Sequence, residues 1–135
     1  MDKHSASLIL LTYKGKILLM HRDQSPLIQN PWSFIEAPQE ETESFEETIL
    51  KKVEKETSIK LSEAELLSSE VYENRQKCFY KASLTDNDVN NIMRDEGQTL
   101  SFFTFDELEN LTLTESAKFF MQKHKKVLEN ITNLN

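Results

Sequence analysis

The sequence predicts an α/β fold: a mixed β-sheet held between helices as an α/β/α sandwich, in a single domain over residues 1–135. Three observations predict it. The patterns run strands, helix, strands, helix, with no repeat, linker or low-complexity block between them. The first helix is clearly amphipathic, with Phe45, Ile49 and Val53 at four-residue spacing and Leu50 beside them. A chain of 135 residues is also long enough for one sizeable core and too short for two.

Residues 5–13 (SASLILLTY) are apolar and β-branched enough for a buried strand, and residues 16–22 (KILLMHR) for a second. Lys14-Gly15 between them reads as a short hairpin turn, with Gly15 supplying the positive φ. The polar residues 23–30, closed by Pro31, read as a mobile loop, and residues 32–35 leave room only for a small strand. Ser44 is the expected N-cap of the helix, with Glu47 as its capping-box acid. Residues 60–64 connect to strands at 66–73 and 75–84, which turn near Asn74. Capping-box logic opens a short helical turn at Thr85-Asp86-Asn87-Asp88. A polar loop at 95–98 leads to a strand at 99–105 (TLSFFTF). Asp106 is expected to cap a short helix over 107–111, and Thr112-x-x-Glu115 to open the last helix. That helix carries Ala117, Phe120, Val127, Leu128 and Ile131 on one face, with a tail that frays from Asn130.

Composition narrows the function. Apolar content of 38% and charged content of 29% suit a soluble globular protein. A net charge of −7 argues against a surface that coats nucleic acid or binds an anionic membrane, and leaves a small phosphorylated ligand open. The longest apolar run, residues 8–11, is far below the ~20 residues of a membrane span. The single cysteine, Cys78, excludes an internal disulfide, sits in an alternating apolar run as a buried bystander, and fits a reducing compartment. With no leader pattern at the N-terminus, a cytoplasmic location is expected. Only two glycines are present, so a phosphate cradle here has to come from side chains.

The chemistry concentrates on the first helix. At about 100° per residue, Lys52, Lys55 and Glu56 share a face beside the apolar one, expected to be more exposed. Glu43 precedes the first turn and can fold back over that face. A carboxylate cluster on such a helix is how a protein holds hard divalent cations beside a phosphate chain. Elsewhere, His124 reads as a packed histidine on the apolar face of the last helix, His21 ends a strand near the cleft, and His4 lies at the start.

Residues 31–59 (PWSFIEAPQEETESFEETILKKVEKETSI) resemble the Nudix box, G-x5-E-x7-R-E-U-x-E-E-x-G-U with U a bulky apolar residue, laid without gaps over residues 37–59. Glu43 falls on the first glutamate, Glu56 on the last, and Val53 and Ile59 on the apolar positions; Trp32-Ser33-Phe34 looks like the family's W-x-F lead-in. The box is degenerate. Ile35-Glu36-Ala37 stand where Pro-Gly-Gly is usual, Lys51 replaces the arginine, Ser58 the last glycine, and Lys52 and Lys55 two metal-binding glutamates. The resemblance extends along the chain: SFFTFDELENL looks like the strand and short helix of many members, and Glu96 matches a loop glutamate that serves some as metal ligand or base.

The resemblance to this MutT-like family implies a Nudix-type sandwich. It also implies metal-dependent cleavage of the pyrophosphate bond in a nucleoside diphosphate linked to another moiety. It assigns Glu56 and Glu96 to catalysis and Glu43, Glu56 and Glu96 to Mg²⁺ or Mn²⁺. From their own chemistry, the Lys52 and Lys55 ammoniums are expected to bind phosphate, Trp32 and Phe34 to line a base pocket, and Glu36, Glu40 and Glu41 to serve as substitute acids. Lys52 stands one turn before Glu56, so its ammonium competes with a metal for the carboxylate. One added positive charge at ~4 Å opposes a divalent ion by several kcal/mol at an effective dielectric of ~20. Whether the protein is an enzyme therefore stays open. One reading is a hydrolase of weakened or altered activity. The alternative is an inactive nucleotide- or phosphate-binding protein, or an interaction protein, with no metal cofactor. A nucleotide or other diphosphate is the expected small-molecule partner, and a homodimer is left open.

Overall fold

A computed structural model describes residues 5–22, 31–93 and 98–133. The expected loop at 23–30, Glu96 and His4 lie outside the described residues. Seven strands form one mixed sheet: β1 (Ala6–Tyr13), β2 (Lys16–Arg22), β3 (Trp32–Ser33), β4 (Ile35–Pro38), β5 (Glu65–Tyr72), β6 (Arg75–Ser83) and β7 (Gln98–Phe103). The helices are α1 (Phe45–Thr57), α2 (Asp86–Asn90), α3 (Phe105–Leu108), α4 (Glu115–Lys123) and α5 (Lys125–Asn133).

β1 is the central strand. It runs parallel to β6 along Ala6–Thr12 and antiparallel to both β2 and β4. Its alternate residues enter different cores. Leu8 and Leu10 pack with Phe34, Phe79, Phe120 and Leu128 beneath α3–α5, while Ile9 and Leu11 pack with Ile35, Ile49 and Val53 beneath α1. Burial on both faces is why this strand reads as an unbroken apolar run. Each fully buried Leu, Ile or Phe contributes about 1.5–3 kcal/mol, so a helix layer on each side is the arrangement that pattern selects. The expected α/β/α sandwich is the observed one.

The hairpin turns take left-handed backbone as their chemistry requires: Lys14 and Gly15 at φ 48° and 76°, Glu73 and Asn74 at 54° and 62°. The capping boxes at Ser44–Glu47 and Thr85–Asp88 form as expected.

Several boundaries differ. The third helix is capped by Thr104, whose hydroxyl accepts from the Glu107 amide, and not by Asp106. Thr114, and not Thr112, caps α4. Thr112 is committed elsewhere, its carbonyl accepting from the Trp32 amide at 2.8 Å. The last helix is two helices, divided at His124, whose ring lies between Phe79 and Phe120 and hydrogen-bonds the Ser68 hydroxyl at 2.9 Å. α5 continues to Asn133 without fraying at Asn130, because Leu128 and Ile131 are buried against the sheet. A strand missed in the sequence, β4, follows β3 directly and pairs with β1.

Candidate functional site

The site lies where the sheet divides. β1 pairs with β4 through Ala6–Ile9 and with β2 only near its other end, at Thr12 and Tyr13. β4 and the β2–β3 pair therefore diverge, and α1 packs beside β4 through Ile49 and Val53. Two adjoining hollows result. One, about 370 Å³, is lined mainly by Thr42, Glu43, Thr48, Lys51, Lys52 and Lys55. The other, about 330 Å³, is lined by Met20, Ser33, Phe34, Glu36 and Thr114. Pro38 and Lys52 border both.

α1 is fixed at both ends. At its start the Ser44 hydroxyl accepts from the Glu47 amide and Glu47 accepts from the Ser44 amide, at 3.1 and 2.9 Å. At its end Ser58 takes the left-handed cap conformation, φ 68°, with its amide on the Glu54 carbonyl. Thus Ser58 performs the task for which the box's glycine is suited, at the steric cost of a Cβ.

Between these caps the charged residues pair off. Glu56 is not on an exposed face, as its helical phase suggests, but only 1% exposed. The Lys52 side chain lies over it from one turn earlier, Nζ 3.3 Å from Oε1, and seals the carboxylate from water. Glu56 Oε2 is buried with no hydrogen-bond partner. Glu43 folds back over α1 as expected. Its carboxylate accepts from the Thr48 hydroxyl at 2.8 Å and from the Lys51 ammonium. Lys51, and then Thr48, hold the Glu43 pKa below its ordinary value, and Glu43 raises that of Lys51. Lys55 is exposed at the same hollow.

Whether this donor set fits a divalent ion can be tested on its chemistry. Mg²⁺ or Mn²⁺ requires several oxygen ligands, with carboxylates among them. Among the described residues no group of three or more His, Cys, Asp or Glu is placed to hold a metal. Glu43 and Glu56 are each committed to a lysine, and of their four carboxylate oxygens Glu56 Oε2 is left as a buried acceptor with no hydrogen-bond partner. Two carboxylates among three ammoniums do not fit a divalent site. Of the substitute acids, Glu36 is bound by Lys77 at 2.7 Å, while Glu40 and Glu41 are exposed.

The aromatic candidates are placed differently from each other. Trp32 is half-buried between His21 and Phe103, with ring centroids 4.9 Å from each. Phe34 is 1% exposed and stacked on Phe120, so its ring belongs to the core and only its edge borders the smaller hollow. Cys78 is buried, and burial pushes its thiol pKa up. Sequence reasoning missed the Glu36–Lys77 pair and the contributions of Ser33, Thr48 and Thr114. The one available signal was an acid inside an apolar run at Glu36 and a lysine at the edge of one at Lys77.

The family model of the NUDIX domain matches residues 1–128. The chain belongs to the Nudix family. No curated protein matches it in sequence. Among solved structures, this Nudix chain is similar to a mutT/nudix family protein from Listeria innocua, with a TM-score of 0.76 at 14% identity, covering 100% of this chain and 99% of that one. A MutT protein from Methanosarcina mazei Go1 gives 0.73 at 16%, covering 93% and 96%. The NUDIX domain of Shewanella oneidensis NrtR, solved with ADP ribose, gives 0.72 at 15%, covering 95% and 90%. At these identities the likeness is one of fold. The Nudix fold itself is thereby established for this chain, and no helix among its described residues is long and apolar enough to cross a membrane.

Proposed function

We propose that this Nudix chain binds the diphosphate of a nucleoside diphosphate linked to another group through lysines, with its hydrolytic step weakened. The observation that carries the reading is the Lys52–Glu56 pair. An ammonium stands 3.3 Å from the buried carboxylate that falls on the last glutamate of the Nudix box, where a divalent ion would have to compete with it. Lys51, Lys52 and Lys55 together line a hollow of about 370 Å³. Three ammoniums there attract phosphate oxygens as point charges, needing no glycine-rich loop. Glu56 acts in this reading as the anchor that fixes the Lys52 ammonium. Trp32 is the candidate for stacking a base at the edge of the cleft. The NrtR domain bound to ADP ribose supports a ligand of this class. The single buried thiol, Cys78, supports work in the reducing cytoplasm.

Thermal-shift and calorimetric titrations with nucleoside diphosphate compounds in EDTA test the reading. Stabilisation in EDTA that is lost in Lys51→Ala/Lys52→Ala is expected, and no binding to any of them refutes it.

One observation favours a second reading, a metal-dependent pyrophosphohydrolase with an impaired metal site. Glu56 Oε2 is an unpaired buried acceptor on the box helix. In that reading Glu43, Glu56 and Glu96 hold Mg²⁺ or Mn²⁺, and Glu56 and Glu96 serve catalysis. Turnover of a nucleotide panel with these ions, abolished by Glu56→Gln and Glu96→Gln, would select it.

A further inference from the structure

Away from α1, a second charged pair reaches the cleft. Lys77 Nζ donates to Glu36 Oε2 at 2.7 Å, the two side chains being 5% and 29% exposed. The sheet register explains how they meet. Ala6 of β1 lies opposite Lys77 on one side and Pro38 on the other, and Leu8 lies opposite Glu36. Strand alternation puts Lys77 on the face of β6 that also carries Phe79, and Glu36 on the face of β4 shared with Phe34. Glu36 lines the smaller hollow together with Ser33, Lys52 and Thr114, whereas Lys77 stands behind it.

Burying an ammonium costs several kcal/mol, and apolar residues of similar volume often serve stability as well or better. Stability therefore does not account for the pair. Its effect on Glu36 does: Lys77 fixes the carboxylate at the wall of the hollow. An ionised carboxylate only accepts hydrogen bonds. A ligand whose diphosphate lies along Lys51, Lys52 and Lys55 passes Lys52 into this second hollow, since Lys52 borders both.

Building on the diphosphate reading above, we propose that Glu36, held by Lys77, is the specificity-determining acceptor of this cleft. It selects diphosphate ligands whose next group bears vicinal hydroxyls, as a pentose or hexose does. It rejects those with a further phosphate there, because the acceptor-only carboxylate repels it.

Calorimetric titration of the whole chain in EDTA with ADP-ribose, ATP and inorganic pyrophosphate tests this. Glu36→Gln should weaken ADP-ribose about tenfold, as for a lost hydrogen bond to a charged acceptor. It should strengthen ATP and leave pyrophosphate unchanged. Lys77→Met should lose affinity for ADP-ribose in the same way. Should Lys77→Met fail to fold, the Glu36→Gln ratio decides alone. Equal changes for all three ligands, or none, overturn the proposal while leaving the diphosphate reading intact. If the wild type binds none of the three, the diphosphate reading fails and this proposal with it.

Discussion

Removing the ammonium from the Lys52–Glu56 pair should damage the fold more than removing the carboxylate. At 3.3 Å and an effective dielectric of ~20, the gross attraction is about 5 kcal/mol. The partners are unequal, for the Lys52 side chain is 20% exposed and the Glu56 side chain only 2%. Lys52→Met leaves a buried carboxylate with neither oxygen compensated, which costs about 3–5 kcal/mol. Glu56→Gln instead leaves an ammonium that can turn toward water, and its cost should be about 1 kcal/mol. Combining the two removes both charges and should recover much of the loss. Urea and thermal unfolding of the wild type, both single variants and the double variant at pH 7 complete a double-mutant cycle. For a chain of this size ~3 kcal/mol corresponds to a fall in Tm of roughly 10 °C. A Lys52→Met protein within about 0.5 kcal/mol of wild type, or a coupling near zero, would falsify the view that this lysine holds the box helix's buried acid.

The paired change Lys52→Glu/Lys55→Glu should raise Mn²⁺ affinity by at least tenfold in titration; unchanged affinity would move the defect to the Ile35-Glu36-Ala37 segment. Ser58→Gly should stabilise the protein by about 0.5–1 kcal/mol in urea, since φ 68° costs a residue with a Cβ more than glycine's extra chain entropy. His124 is pushed below its ordinary pKa of 6.5 by burial, against the opposing pull of Glu70. The unfolded chain then binds a proton the folded one resists, so this residue's contribution is fully present above pH 6.5 and falls as pH drops toward the depressed value. Stability measured from pH 7 to 5 should show that loss, and His124→Gln should flatten it.

How much was legible in the sequence follows from which interactions are local. The start and the buried face of α1 were readable to the residue because its cap and its apolar period are both encoded within the helix. The buried strands were readable for a similar reason, as both faces of β1 are apolar. Thr112 and Thr114 were confused because both satisfy a capping pattern, and only the pairing with Trp32 across the fold decides between them. The break at His124 depends on Phe79 and Ser68 from distant strands. In the site, the i,i+4 spacing announced Lys52 against Glu56 but not the burial of the carboxylate, which needs the surrounding fold. Glu36 and Lys77 are 41 positions apart and meet only through the register of three strands.

The short lacing between Trp32 and the segment ahead of α4 has a consequence for timing. The Trp32 amide donates to the Thr112 carbonyl at 2.8 Å, and the Thr114 amide to the Trp32 carbonyl at 3.0 Å. Thr114 also caps α4 and forms part of the rim beside Glu36. The rim is therefore assembled from segments separated by some eighty residues. During synthesis it cannot exist until the chain has been made through α4. In the finished protein, any loosening of the C-terminal pair of helices unlatches the cleft from behind. Occupancy of the smaller hollow and protection of the α4 amides from solvent exchange are then two measures of one equilibrium.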